Sequence, residues 1–89
     1  MQWQIRIEDS ERRTLARLPK RLRGEIAEVL LDLRDEPRPA YSKPLTRELR
    51  GLRAIPIDGW RLIYSINEED RIVIVVAIRP RGPNTYLNL

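Results

Sequence analysis

The chain contains neither cysteine nor histidine. Without cysteine there is no disulfide and no thiolate metal site, and folding needs no oxidising compartment. Without histidine the commonest general base and the commonest metal ligand are gone, together with every Ser/His or Cys/His nucleophile arrangement. Any catalysis must therefore run on lysine, arginine, tyrosine, serine, threonine or carboxylates. No spacing among the remaining donors suggests a metal, and no motif suggests a cofactor. Long apolar runs are missing too: none approaches the ~20 residues that cross a bilayer. The opening MQWQIRIEDS lacks the apolar core of a signal peptide. The expectation is a soluble cytoplasmic protein with no membrane role. At 89 residues it is read as one domain spanning 1–89. A domain of this size buries only roughly 60% of its unfolded surface, or a little more, so its core is thin.

What the chain does have is positive charge, and its placement matters more than its size. Residues 1–36 hold eight Lys/Arg and eight Asp/Glu, which cancel. Residues 37–66 hold Arg38, Lys43, Arg47, Arg50, Arg53 and Arg61 against only Glu48 and Asp58. Beyond them Arg71, Arg79 and Arg81 balance Glu68, Glu69 and Asp70, so the whole excess of +4 lies in the middle segment. A surface facing phosphate or an acidic partner requires such concentration, although a solvated charged surface looks the same in sequence.

Trp3, Ile5 and Ile7 alternate with Gln2, Gln4 and Arg6, the period of a half-buried strand. Asp9 and Ser10 are good N-cap residues, with Glu11 in the first turn of a short helix that stops at Pro19. A longer helix covers residues 20–34, where Leu22, Ile26, Val29, Leu30 and Leu33 form one apolar stripe. Pro37, Pro39 and Pro44 then mark a surface loop, and residues 45–51 are expected to make a helical turn ending at Gly51. Residues 52–57 read as a short strand in which Pro56 suggests an irregular or edge position. Asp58-Gly59 predicts a tight hairpin. The following strand, 60–66, puts Trp60, Leu62, Tyr64 and Ile66 on one face and Arg61, Ile63 and Ser65 on the other. After an acidic turn, residues 72–78 form a continuous apolar, mostly β-branched run, expected at the sheet centre and buried on both faces. Residues 84–89 are a tail and a candidate further edge strand. The predicted fold is α+β: an N-terminal strand, a helical hairpin, then an antiparallel three- to four-stranded sheet.

These elements, with K-P-L-x-x-x-L-x-G-L-R from Lys43 to Arg53 and D-G-W-R-L-I-Y from Asp58 to Tyr64, resemble the RelE/ParE toxin superfamily of type II toxin–antitoxin systems. The resemblance covers nearly the whole chain and is most specific across residues 43–64, where family members commonly carry a G-D-Y-R-[VIL]-[VI]-Y hairpin. It implies a toxin neutralised by a cognate antitoxin that wraps it. RelE-like members enter the ribosomal A site and cut mRNA; ParE-like members share the fold and inhibit DNA gyrase without a nuclease site. The expectation taken forward is a ribosome-dependent, metal-independent mRNA endonuclease. The alternatives are a non-enzymatic gyrase inhibitor and a degenerate toxin that only binds its antitoxin as co-repressor.

RNA cleavage by a 2′-OH needs a group to take its proton, charge to neutralise the phosphorane, and a proton for the leaving oxygen. RelE-like toxins meet these needs with lysine, arginine and tyrosine. Arg61, opposite the apolar face of its strand, is placed to present a guanidinium fork to phosphate. Arg79 and Arg81 lie where the resemblance implies a catalytic arginine, with Arg81 favoured, and Tyr86 matches the C-terminal tyrosine that stacks on a base or transfers a proton. The implied catalytic set is Arg61, Arg81 and Tyr86, and the implied RNA-binding set is Lys43, Arg50, Arg53 and Arg79. Two departures stand out. Where many members alternate a second cation with the one at Arg53, this chain has Ile55. The usual G-[HK]-R ending is replaced by A-I-R-P-R-G-P-N-T-Y, its arginines five and seven residues before Tyr86.

Overall fold

A computed structural model describes residues 2–89. Along the chain come β1 (Gln4–Ile7), α1 (Asp9–Arg17), α2 (Lys20–Asp35), β2 (Lys43–Pro44), a 3₁₀ turn at Arg47–Leu49, β3 (Leu52–Ile57), β4 (Trp60–Asn67) and β5 (Ile72–Pro80). The strands form one five-stranded sheet in the order β1-β5-β4-β3-β2. β1 runs parallel to β5, and the other pairs are antiparallel. The α+β class holds. The sheet is larger than expected and mixed, because the N-terminal strand joins it and Lys43-Pro44 adds a short edge.

The helices cover one face. Leu18, Leu22, Ile26 and Leu33 pack there against Ile55, Ile57, Leu62, Tyr64, Val73 and Val75. Each large aliphatic side chain so buried contributes about 1.5–3 kcal/mol. The opposite face carries only a small cluster of Ala54, Ile63 and Ala77, edged by Leu45, Leu52 and Val76. The alternation read along β4 is therefore the observed one. At the β3–β4 hairpin, Asp58 and Gly59 have φ of 46° and 80°, the left-handed pair that a two-residue turn requires. Pro56 sits where β3 has lost its short outer neighbour, a place that tolerates a residue without an N–H.

Three details depart from the expectation. The residue capping α1 is Glu8, and no side chain caps the helix. Ser10 donates instead to Glu11 at 2.7 Å, while the other Glu11 oxygen accepts the main-chain N–H of Ile78 at 2.8 Å. Second, β5 is internal but not central, since it lies between β1 and β4. Its alternation is also interrupted: Ile63 pairs with Ala77 while Tyr64 pairs with Val75, which leaves Val76 as a bulge. Third, the tail makes consecutive turns and no strand. Thr85, 4% exposed, staples it: its hydroxyl accepts the Gly82 N–H and shares its one proton between the carbonyls of Pro80 and Gly82, with contacts of 2.8–2.9 Å.

The Pro-rich loop between α2 and β2 is held at several points. The fully buried Tyr64 donates its hydroxyl to the Pro37 carbonyl at 2.7 Å. Tyr41 donates to Asp32 of α2 at 2.8 Å, and Arg38 pairs with Glu68 at 2.6 Å. Removing a buried donor leaves the Pro37 acceptor unsatisfied, so Tyr64→Phe should cost about 1–3 kcal/mol. Urea unfolding measures this, and an unchanged midpoint would show that the hydroxyl does not anchor the loop.

The Tyr41 phenol is pushed up to about 12, first by desolvation and then by its hydrogen bond to Asp32. A tyrosine in the unfolded chain ionises near ~10. Its contribution to stability is thus full below about pH 10 and is lost as pH rises through about 12. Stability curves across that window should fall less steeply for Tyr41→Phe than for the wild type; parallel curves would contradict the assignment.

Candidate functional site

Sheet register builds a cleft on the face that the helices leave open. Residues directly opposite one another on neighbouring strands share a face. One rung therefore carries Lys43, Ala54, Ile63 and Ala77, and the next carries Pro56, Arg61 and Arg79. Small side chains at Ala54 and Ala77 keep the floor low. Strands lie about 4.8 Å apart, so Lys43 on β2 and Arg61 on β4 have backbones roughly 10 Å apart laterally. Long cationic side chains can converge across that gap on a single phosphate. The resulting cleft, of about 320 Å³, is lined by Lys43, Pro44, Leu45, Ala54, Pro56, Arg61 and Tyr86. Two cations and a phenol face it, and no carboxylate does.

The Arg61 guanidinium is half-buried and donates to the carbonyl of Trp60 at 2.9 Å. That single contact orients it while leaving other N–H donors of the fork. Tyr86, 40% exposed, reaches the same cleft from the tail. Three residues singled out from sequence, Lys43, Arg61 and Tyr86, are thus brought together.

The other four are not in this cleft. Arg53 pairs in register with Tyr64 and so lies on the helix-facing side. Its Nε donates to the Ser42 hydroxyl at 3.0 Å and a terminal nitrogen to the Ser42 carbonyl at 3.5 Å. It fastens the loop that leads into Lys43. Arg79 shares the face of Arg61, but one of its terminal nitrogens donates to the carbonyls of Thr85, at 3.1 Å, and Leu87. Arg81 is exposed beside a hollow of about 500 Å³ formed by the tail, and its main-chain N–H donates to Gly59 at 2.8 Å. Arg50 is exposed before Gly51, where φ is 101°.

Sequence reasoning gave Ser42, Thr85 and Ala54 no role, and read Pro56 only as an edge signal. For Ala54 and Pro56 a signal existed: they alternate with Ile55 and Ile57, so they fall on the face of Arg61. Acidic side chains lie outside the cleft: Glu25, Glu28, Asp32 and Asp58 line a groove between α2 and β3, and Glu8 and Glu11 line a hollow that they share with Arg79, Leu52 and Val76. Among the described residues no group of three or more Asp/Glu is arranged to hold a metal ion, and no helix is long and apolar enough to cross a membrane.

The family model for the ParE toxin of type II toxin–antitoxin systems matches residues 5–84. The chain belongs to this toxin family. Toxin RelG of Mycobacterium tuberculosis is 33% identical to this toxin over 83 residues, covering 92% of this toxin and 94% of RelG. The matching chain of the toxin–antitoxin complex RelBE2, also from Mycobacterium tuberculosis, is 32% identical with a TM-score of 0.79, over 91% of this toxin and 100% of that chain. The archaeal RelE–RelB complex from Pyrococcus horikoshii gives 26% identity and a TM-score of 0.78, over 93% and 99%. The fold of this toxin is therefore that of RelE-type proteins.

Because Arg53 is tied to Ser42, its loss should act on stability through that contact. In a double-mutant cycle of Arg53→Met and Ser42→Ala, urea unfolding should give a coupling of about 0.5–1.5 kcal/mol. Additive effects would release Arg53 for a role outside the fold.

Proposed function

We propose that this toxin cuts mRNA on the ribosome, and that the cleft of Lys43, Arg61 and Tyr86 is where the phosphodiester is held. The observation that carries the reading is the make-up of the cleft: cations and a phenol converge with no carboxylate facing them. That set suits an anion whose charge rises during reaction. In the step envisaged, the ribose 2′-hydroxyl loses its proton to solvent and its oxygen attacks the adjacent phosphorus; the bond to the 5′-oxygen breaks, that oxygen takes up a proton, and a 2′,3′-cyclic phosphate forms. Arg61 stabilises the charge on the phosphorane oxygens. Lys43 holds the strand by its phosphate, and Tyr86 gives its phenolic proton to the leaving 5′-oxygen. Arg81 and Arg50, exposed outside the cleft, contact neighbouring phosphates. The ribosome supplies the positioning that so shallow a cleft cannot.

The partner proposed is a cognate antitoxin, supported by solved relatives that are toxin–antitoxin complexes. An acidic segment would complement the basic cleft face. A ribosomal target places the working protein in the cytoplasm. One observation favours a second reading, inhibition of DNA gyrase without nuclease chemistry: the matching family model is that of the ParE toxin.

Expression of wild type and Arg61→Ala in bacteria, with mRNA 5′ ends mapped on ribosomes, separates the two. Cuts within A-site codons should be present for the wild type and weakened on the order of 10²–10³-fold by the substitution. Toxicity without such cuts, undiminished in Arg61→Ala and accompanied by DNA damage, would overturn the nuclease reading in favour of gyrase.

A further inference from the structure

Arg61 and Arg79 stand directly opposite one another on β4 and β5. Two like charges in that relation repel, so the pair needs a reason to persist. The structure supplies one. The guanidinium of Arg61 is held by its own strand, whereas that of Arg79 turns to the tail, where one terminal nitrogen serves the carbonyls of Thr85 and Leu87. Those two carbonyls flank Tyr86. From inside the tail, Thr85 fixes the same segment through its buried hydroxyl, which bonds back to Pro80 and Gly82. The side chain between these two fastenings projects into the cleft beside Lys43 and Arg61. Without them, a segment made of turns, with no helix or strand pairing of its own, opens at little cost.

We propose that Arg79 is a positioning residue, which holds Tyr86 in the cleft by clasping the main-chain carbonyls on either side of it. Its effect on RNA cleavage rests on the nuclease reading above; the clasp itself does not. Arg79 thereby works through the tail rather than as a phosphate ligand. The bulge at Val76 is what makes this geometry available. Val73 and Val75 face the helices, and an unbroken alternation would send Arg79 to that side as well; the extra residue returns Ala77 and Arg79 to the cleft face.

The test compares wild type, Arg79→Ala, Thr85→Val, Tyr86→Phe and the double variant Arg79→Ala/Tyr86→Phe. Two readouts are used: backbone 15N relaxation of the purified toxin, and single-turnover cleavage of mRNA on programmed ribosomes. Arg79→Ala should loosen residues 84–88 while the strands keep their rigidity. It should slow cleavage to the extent that Tyr86→Phe does, on the order of 10²-fold for a lost proton-transfer group. The ribosome concentration at half-maximal rate should stay unchanged. Thr85→Val, which keeps the Arg79 charge, should weaken both the tail and the rate in the same sense. It carries the test if Arg79→Ala does not fold. Adding Arg79→Ala to Tyr86→Phe should cause no further loss, as for residues that act as a unit. A tail as rigid in Arg79→Ala as in the wild type would overturn the proposal. So would a double variant slower than Tyr86→Phe alone by a further order of magnitude. A wild type that cuts no mRNA would instead sink the nuclease reading, and the relaxation data would still decide the clasp.

Discussion

Tyr64 is where the sheet, the core and the loop meet. Its ring is wholly buried among helix-facing side chains, and its hydroxyl leaves that core to bond the carbonyl of Pro37. A tyrosine can be buried this deeply only if its O–H finds a partner, and here the partner is the first proline of the Pro-rich loop. The loop is thus fixed to the centre of β4. Arg53, next to Tyr64 across the strand pair, takes hold of Ser42 at the other end of the loop. With both ends fixed, Lys43 enters the sheet edge in one register. One side of the cleft therefore depends on a hydrogen bond made on the opposite face of the sheet.

The elements legible in the sequence are those whose signals are local. The α2 stripe, the β4 alternation and the Asp58-Gly59 turn each announce themselves within a few residues, and each is present in the structure. What lay outside reach was non-local or too short. Two residues at Lys43-Pro44 carry no periodicity, yet their pairing with β3 delivers a cation to the cleft. The run of apolar, mostly β-branched residues in β5 hid the bulge, since a run apolar at every position shows no alternation for a bulge to interrupt, although Ile74 and Val76 on the open face are only partly buried. The face of Arg79 was therefore undetermined from sequence. The placement of Arg53 differs in kind. It shares a parity with Ile55 and Ile57, so period two alone puts it on the helix side. There the family resemblance, which implies a substrate-facing cation, points away from the local pattern, and the local pattern agrees with the structure.

On the far edge of the sheet the same economy operates with different groups. β1 ends opposite Val75, so beyond the bulge β5 keeps β4 on one side, and its N–H groups that point to the β1 side have no strand to bond. Glu11 takes over at that point and accepts from Ile78. The first turn of α1 is thereby tied to the part of β5 that carries Arg79. Acidic residues in the first helical turn are usually explained by the helix dipole; for Glu11 the bond to β5 is the more specific cause. Glu11 also engages Ser10, a candidate cap, whose hydroxyl bonds the Glu11 carboxylate and not the helix end.

A chain of this length, without disulfides, has little apolar burial to hold its loops. It uses tyrosine, arginine, glutamate and threonine for that purpose, and places these anchors around the edge of the cleft. Stability and activity are therefore hard to separate by substitution in this toxin. An arginine whose loss abolishes toxicity is ordinarily taken to touch the target. In this toxin Arg53 and Arg79 would give that phenotype by releasing a loop or a tail, while Arg61, bonded only to its own strand, has no segment to release. Of the three, only Arg61 can be tested for contact with the target without first accounting for what else it holds in place.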